Sequence, residues 1–238
     1  MSDLSPYAGS EALEIMSGAK NYNSHLLELL RSEVASCKTR SARGKEFTIL
    51  DFGAGNGRFI SAFDGNSAAL FAVEPDPALS GALSQVQDVA VVSLSSIESR
   101  SIDFIYSLNV FEHIYNDADT LVELSEKLSP GGRLLVFVPA WPHLFSAFDQ
   151  KIGHFRRYTK KDLLLKAEQT ELNLDRLELF DPLGYFAAVL FKMFSNKPVL
   201  PSRGLVLFDR VVYPISRLLL PLTRNSIGKN LVMVLTRT

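Results

Sequence analysis

The sequence predicts an α/β fold in which helices cover both faces of a mostly parallel, doubly wound sheet. Three observations carry that prediction. Between residues 46 and 182, short runs rich in Val, Ile, Leu and Phe alternate with helical or loop segments, the pattern of repeated βαβ units. The first such run passes straight into a glycine-rich turn, Gly53-Ala-Gly-Asn-Gly57, where a chain leaving a strand can swing sharply into a helix. One further apolar run, Asn230–Thr236, closes the chain and brings the strand count to seven. The expected architecture is therefore a Rossmann-like, seven-stranded sheet with an antiparallel last strand, an N-terminal helical cap and an insertion before the last strand.

Taken in order, residues 1–45 form the cap, because Leu26, Leu27, Leu29, Leu30 and Val34 make an apolar stripe at helical spacing. Residues 46–182 form the core, with strands expected at Phe47–Asp51, Leu70–Glu74, Val89–Ser93, Phe104–Ser107, Leu134–Val138 and Leu174–Phe180. Residues 183–229 form an apolar, basic insertion, and residues 230–238 return to the core as its last strand. From residue 182 onward there are eight basic residues and one acid, Asp209, although the whole chain has a net charge of −1. The remainder is correspondingly acidic, so charge is divided unevenly along the chain.

That near-zero total argues against a nucleic-acid partner, which calls for a broad basic footprint. A single cysteine, Cys37, excludes an internal disulfide framework and suits a reducing compartment. The opening residues lack the basic flank and apolar run of a secretory leader. A cytoplasmic location is expected, with the inner face of the membrane as its alternative. The four histidines lie far apart in sequence, without acids at ligand spacing, so no metal site is expected.

The glycine turn carries more than a bend. Asp51 stands two residues before Gly53, and the glycines follow a Gly-x-Gly-x-Gly spacing instead of the dinucleotide Gly-x-Gly-x-x-Gly. A pyrophosphate at a helix N-terminus is poorly served by a carboxylate beside it, whereas an ammonium and sulfonium compound is well served. Glu74, 17 residues after Gly57, sits near the offset at which an acid reaches a ribose diol. Asn109 to His113 follow the fourth strand, whose carboxyl end faces the ligand crevice of a doubly wound sheet.

The ordered set Ile49-Leu-Asp-Phe-Gly-Ala-Gly-Asn-Gly, Val73-Glu-Pro-Asp, Asn109-Val-Phe-Glu-His-Ile and Leu128-Ser-Pro-Gly-Gly-Arg-Leu-Leu-Val resembles class I S-adenosylmethionine-dependent methyltransferases over roughly residues 47 to 140. The resemblance implies S-adenosyl-L-methionine as cofactor and S-adenosyl-L-homocysteine as product. Asp51, Gly53, Ala54, Gly55 and Gly57 would hold the methionine part, with Glu74 and Pro75 at the ribose. Ser93 and Leu94 would lie at the adenine edge and Asn109 in the loop after the fourth strand, although Val91-Val-Ser-Leu-Ser lacks the acid that the family usually places near the adenine. Pro139-Ala-Trp-Pro-His-Leu-Phe-Ser-Ala-Phe-Asp149, Gly153-His-Phe-Arg-Arg-Tyr-Thr159 and Asn21-Tyr-Asn23 resemble a bacterial subgroup associated with glycosyltransferases and with lipid-linked or surface glycans. Tyr22 joins the cofactor set on that ground. By the same resemblance the acceptor is a small molecule or a lipid- or glycan-linked one, methylated on oxygen.

His113, His154 and Tyr158 are the candidates for proton chemistry, because they lie at the crevice or in the polar cluster beyond it. For His113 the alternative is an imidazole bonded to a backbone carbonyl. Arg156 and Arg157, adjacent guanidiniums, suit a carboxylate or phosphate on the acceptor; the alternative is surface pairing at the start of a helix near Thr159. In the insertion, Arg203, Arg210, Arg217 and Arg224 fall every seven residues between apolar runs, the make-up of an interfacial helix. Pro214 and Pro221 forbid one uninterrupted helix. Three uses of residues 183–229 stay open: a lid over an apolar pocket, a homodimer face, or a peripheral membrane contact through 203–224. Two other functions fit less well, a non-catalytic S-adenosylmethionine-binding partner protein and a nicotinamide-dependent oxidoreductase.

Overall fold

The computed structural model describes residues 10–38, 46–194, 202–223 and 226–238. Seven strands form one sheet: β1 Thr48–Phe52, β2 Ala69–Val73, β3 Val89–Val91, β4 Ile102–Leu108, β5 Leu128–Pro139, β6 Leu172–Phe180 and β7 Asn230–Arg237, in the order β3-β2-β1-β4-β5-β7-β6. Every expected strand is present. β7 inserts between β5 and β6 and runs antiparallel to both, so the α/β, mostly parallel architecture holds with the last strand reversed.

Strand alternation sorts the apolar side chains onto two faces. Phe104 and Tyr106 of β4 pack with Leu135 and Phe137 of β5 on one side, while Ile105 packs with Leu134 and Val136 on the other. The central strands are buried on both faces and read as continuous apolar runs, as parallel strands do. The chain runs outward through β1, β2 and β3, then crosses back to place β4 beside β1. That reversal is the topological switch point, where strand ends diverge and leave a crevice.

The cap consists of α1 Ser10–Ser17 and α2 Lys20–Lys38. Tyr22, Leu26, Leu30, Val34 and Cys37 of α2 are buried against the sheet, so the predicted stripe is real but begins one turn earlier, at Tyr22. Residues 39–45 of the expected cap lie outside the described residues. Glu33, on the same helix, pairs with Arg133 of β5 and Arg176 of β6, and Arg133 also holds Asp175. This ionic clasp fixes α2 across the sheet.

On the opposite face, α4 Asp117–Lys127 and α6 Lys160–Ala167 cover β4, β5 and β7. The short α3 Pro77–Leu83 follows β2, and α5 Ala147–Lys151 follows β5.

The insertion folds as α7 Pro182–Phe194, then α8 Ser202–Leu207, a π-helical turn over Phe208–Val212, and α9 Tyr213–Thr223. The π-turn sits directly before Pro214, which lacks the N–H to continue an α-helical ladder. It also breaks the seven-residue arginine phase. Of the four arginines in that phase, Arg210 is exposed and Arg217 pairs with Glu28 of α2; the side chains of Arg203 and Arg224 lie outside the described residues. No described helix is long and apolar enough to cross a membrane.

Asp209, the single acid of the insertion, is 2% exposed. Its carboxylate accepts from the backbone N–H groups of Asn21 and Tyr22 at 3.0 and 2.9 Å, and its own carbonyl accepts from the Asn21 side chain at 2.9 Å. A carboxylate at those free N–H groups caps α2 and complements its dipole. The insertion is thereby latched to the cap, over the crevice.

Candidate active site

The carboxyl ends of β1 and β4 build the first half of the site. Gly53 (φ +81°), Gly55 (+55°) and Gly57 (+76°) all adopt left-handed backbone, which a side chain resists. At Gly53 a Cβ would lie 2.3 Å from Cγ2 of Val110, so the loop after β4 presses directly on the glycine turn. Gly53 and Ala54 donate to the Val73 carbonyl at 2.8 and 3.1 Å. Glu74 follows, and its two carboxylate oxygens accept from the N–H groups of Gly55 at 2.7 Å and Asp76 at 2.9 Å. Glu74 therefore shapes the glycine turn, while a second lone pair on each oxygen stays available for hydroxyls.

Asp51 is 3% exposed and accepts from the Tyr106 hydroxyl at 2.8 Å. Burial pushes its carboxyl up to about 7, against the Tyr106 bond that favours the charged form; the nearby Glu74 adds to the rise. A buried acid in that state gains from a cation beside it.

A cavity of about 160 Å³ opens next to this turn, lined among others by Tyr22, Gly53, Gly55, Phe59 and Asn109. Pro75, Ser93 and Leu94 continue along the ends of β2 and β3 and, like Glu74, do not line it. Asn109 also takes left-handed backbone, at φ +54°, with its N–H bonded to the Phe137 carbonyl at 2.8 Å.

Tyr22, Asn109, Met16 and Ile152 are shared with a second, larger cavity of about 430 Å³. Leu144, Phe148, Phe191, Leu205 and Phe208 give it an apolar wall, supplied partly by the insertion. Its other end is polar: His154, Arg157, Lys229 and Asn230.

The structure divides the predicted polar cluster. His154 and Arg157 reach the second cavity; Arg156 and Tyr158 line neither cavity. Tyr158 is 1% exposed and donates to Asp117 at 2.7 Å; burial, then Asp117, pushes its phenol far above the ordinary range. Arg156 forms an ion pair with the same Asp117 at 2.7 Å and donates to the Tyr115 carbonyl at 2.9 Å. Lys166 completes this knot around Asp117. Their adjacency in sequence misleads, because successive residues of the extended stretch before α6 point opposite ways. Tyr158, expected to carry a proton, and Arg156, expected to bind the acceptor, thus both turn to Asp117 and away from the two cavities.

His113 also stands back from both cavities, packed edge-on against His154 with ring centroids 4.6 Å apart. Burial, then the charge that His154 can carry, pushes it down to about 4, despite a bond to the Gly153 backbone. It is a neutral imidazole at physiological pH.

Two groups that sequence reading missed organise this wall. Asp149 is fully buried, accepts from His154 Nδ1 at 2.9 Å and from Arg157 Nε and Nη2 at 2.9 and 3.1 Å, and takes the N–H and hydroxyl of Ser146 at 2.8 Å each. Burial opposes its charge, but these donors hold it down to about 2. Lys229 lies 3.8 Å from the buried Asp181 and 5.1 Å from the Tyr22 ring centroid, with its amine pushed down by burial. Both residues sit in stretches whose chemistry no local spacing announces.

Two of the scattered histidines also converge. Glu112, His113 and His154 bring potential ligand atoms within 4.8 Å of one another, a grouping that sequence spacing excluded because the fold spans the gap between residues 113 and 154.

A family model described as a methyltransferase domain matches residues 22–177, more than half of the chain. An uncharacterized methyltransferase of Mycobacteroides abscessus is 30% identical over 131 residues, covering 48% of this chain and 51% of its own length. One from Mycobacterium tuberculosis H37Rv is 27% identical over 116 residues, 45% of each chain. The chain spans about half the length of the curated relatives it matches. Among solved structures, geranyl diphosphate C-methyltransferase from Streptomyces coelicolor A3(2), in complex with Mg²⁺, geranyl diphosphate and S-adenosyl-L-homocysteine, superposes with a TM-score of 0.61 at 13% identity, over 90% of this chain and 77% of that one. The YcgJ protein of Bacillus subtilis does so with a TM-score of 0.56 at 16% identity, over 90% and 99%. The fold is shared with both. By the match of its core, this chain belongs to the methyltransferase-domain family, of the class I S-adenosylmethionine-dependent kind.

Proposed function

We propose that this chain transfers a methyl group from S-adenosylmethionine to an amphipathic acceptor, one with an apolar body and an anionic or strongly polar head. The observation that carries the reading is the pair of adjoining cavities, one against the glycine turn, the other with an apolar wall and a polar part that holds Arg157 and Lys229 beside Asp149. Asp51, two residues before the glycine that lines the first cavity, suits the cofactor, because a buried carboxylate raised to about 7 is stabilised by an incoming ammonium. When bound, S-adenosylmethionine supplies a methyl group on a positively charged sulfur.

The chain's own part is binding and alignment. Asp51 holds the ammonium, the backbone of Gly53 to Gly57 admits the methionine part, and Glu74 receives the ribose hydroxyls. Tyr22 and Asn109, common to both cavities, stand where the methyl group passes. Arg157 and Lys229 hold the acceptor's head, and the wall of α5, α7, α8 and the π-turn excludes water from its body. Alignment in such a dry site contributes roughly 7–11 kcal/mol to a reaction barrier, so the function does not depend on a dedicated base. Of the three residues predicted for proton chemistry, His154 is the one that faces the acceptor cavity.

The latch at Asp209 favours the lid reading of the insertion. Its outer surface favours a second role for the same segment. Leu190, Met193 and Phe194 of α7 and Leu218 and Leu222 of α9 are all more than half exposed, an apolar face suited to resting on the bilayer that carries a lipid-linked acceptor. On the family resemblance alone, the acceptor atom is an oxygen.

Calorimetric titration with S-adenosylhomocysteine and with NAD tests the cofactor, and transfer of labelled methyl to polyprenyl phosphates and glycolipids tests the acceptor. Binding of S-adenosylhomocysteine with labelled lipid product is expected. Binding of NAD alone would overturn the reading.

A further inference from the structure

We propose that Glu112, His113 and His154 form a binding site for one divalent transition-metal ion of the Zn²⁺ or Mn²⁺ class, at the wall of the second cavity. The first observation is the grouping itself, one carboxylate and two imidazoles with ligand atoms within 4.8 Å of one another. The second, independent of it, is Glu112. This side chain is 0% exposed, and both carboxylate oxygens are buried without a hydrogen-bond partner among the described residues. Leaving a buried carboxylate without donors is expensive unless a cation compensates it. Oε1 points at His154, 3.7 Å from Nε2.

The imidazoles are set up as ligands are. His154 uses Nδ1 for Asp149 at 2.9 Å, which leaves Nε2 turned toward Glu112. A carboxylate on the far nitrogen of a histidine fixes its tautomer and strengthens the near nitrogen as a ligand. His113 turns its Nδ1 edge to Gly153, whose backbone it bonds. Arg157 and Ser146 in turn hold Asp149, so the orienting shell is itself anchored.

The spacing is close to what an ion requires. Nitrogen and oxygen ligands at ~2.0–2.1 Å in tetrahedral geometry stand about 3.3 Å apart, near the 3.7 Å between Glu112 and His154. Small side-chain rotations close the rest. Two imidazoles and one carboxylate select borderline ions over Ca²⁺ or Mg²⁺, which favour all-oxygen sites. Three protein ligands also leave coordination positions open. Of the three, His154 lines the second cavity, the side from which an oxygen of the acceptor's phosphate or hydroxyl would complete the shell.

The site stands on side-chain geometry alone; only the use of its open positions rests on the methyl-transfer reading. The test uses tag-free protein stripped with EDTA. Titration with ZnCl₂ is expected to give one site per chain, and CoCl₂ to give visible d–d absorption bands from low-coordinate nitrogen and oxygen ligation. Glu112→Gln and His154→Ala should each weaken Zn²⁺ binding at least 100-fold. Asp149→Asn, which acts through His154, should weaken it 10- to 100-fold. His143→Ala, outside the group, should leave it unchanged. Absence of Co²⁺ bands in the unmutated protein overturns the proposal without any variant having to fold. Zn²⁺ binding that survives both Glu112→Gln and His154→Ala overturns it equally. Titration with S-adenosylhomocysteine in parallel separates the two readings, because loss of that binding with Co²⁺ bands intact would remove the methyl-transfer assignment and leave the metal site.

Discussion

Replacing Asp51 with Asn should stabilise the unliganded protein at alkaline pH while weakening its hold on the cofactor. Asp51 is an ordinary carboxylate in the unfolded chain, near 3.8, and is raised to about 7 by burial in the folded one. Between those values the folded state binds the extra proton, so stability from this group is highest below pH 4 and is lost as the pH rises to 7. About three units at ~1.4 kcal/mol each amount to roughly 4 kcal/mol at pH 8. An amide keeps an acceptor for the Tyr106 hydroxyl and carries no charge, but it is itself a buried polar group. About half of the difference should therefore be recovered, roughly 2 kcal/mol, or about 4–8 °C in Tm for a chain of this size. At pH 5 the folded acid is neutral and the unfolded one ionised, a loss of roughly 1.7 kcal/mol that the cost of the buried amide offsets, so the variant should melt close to the unmutated protein. The cofactor's ammonium loses a charged partner worth ~1.5–3 kcal/mol, so the Kd for S-adenosylhomocysteine should rise about 10- to 100-fold. Scanning calorimetry at pH 5 and 8, with titration at pH 8, measures all of this. A lower Tm at pH 8, or an equal shift at both pH values, would refute the argument that desolvation governs Asp51.

Arg157→Ala should raise the KM for an anionic-headed acceptor about tenfold or more and leave the Kd for S-adenosylhomocysteine within twofold; an equal loss of both would remove Arg157 from the acceptor site. Glu33→Ala leaves Arg133 with one acid and Arg176 with none of its Glu33 bond, and breaking such a buried ionic clasp should cost about 3 kcal/mol, seen as a Tm lower by roughly 6–12 °C. Asp209→Ala unlatches the insertion from α2 by removing two bonds to helix N–H groups. It should cost roughly 1–2 kcal/mol and speed amide exchange across α8 and α9 more than in the sheet. Gly53→Ala meets both a φ of +81° and the Val110 side chain, and should abolish cofactor binding in a titration even where the circular dichroism is retained.

The seven strands were legible because their information is local. A strand buried on both faces is apolar through its centre, and Phe104–Tyr106 of β4, Leu134–Val138 of β5 and Leu231–Leu235 of β7 are such runs. The glycine turn, Asp51 and Glu74 were legible for a similar reason: a backbone that must take left-handed conformations next to a strand end leaves glycines at short, fixed spacing. The acceptor wall was not. Arg156 and Arg157 are neighbours in the chain, yet one turns to Asp117 and the other to Asp149, a choice made by the register of an extended segment against α4 and α5. Asp149 and Lys229 were not singled out by any local pattern. Only the burial of Asp149, and the packing of α7 and the π-turn around the cavity that both residues line, makes them part of a site. The same holds for Asp209, whose meaning depends on the open end of a helix almost two hundred residues earlier. Turn geometry and strand burial are written into short windows of sequence. Which charges share a buried volume depends on contacts between distant segments, and those exist only once the chain has packed.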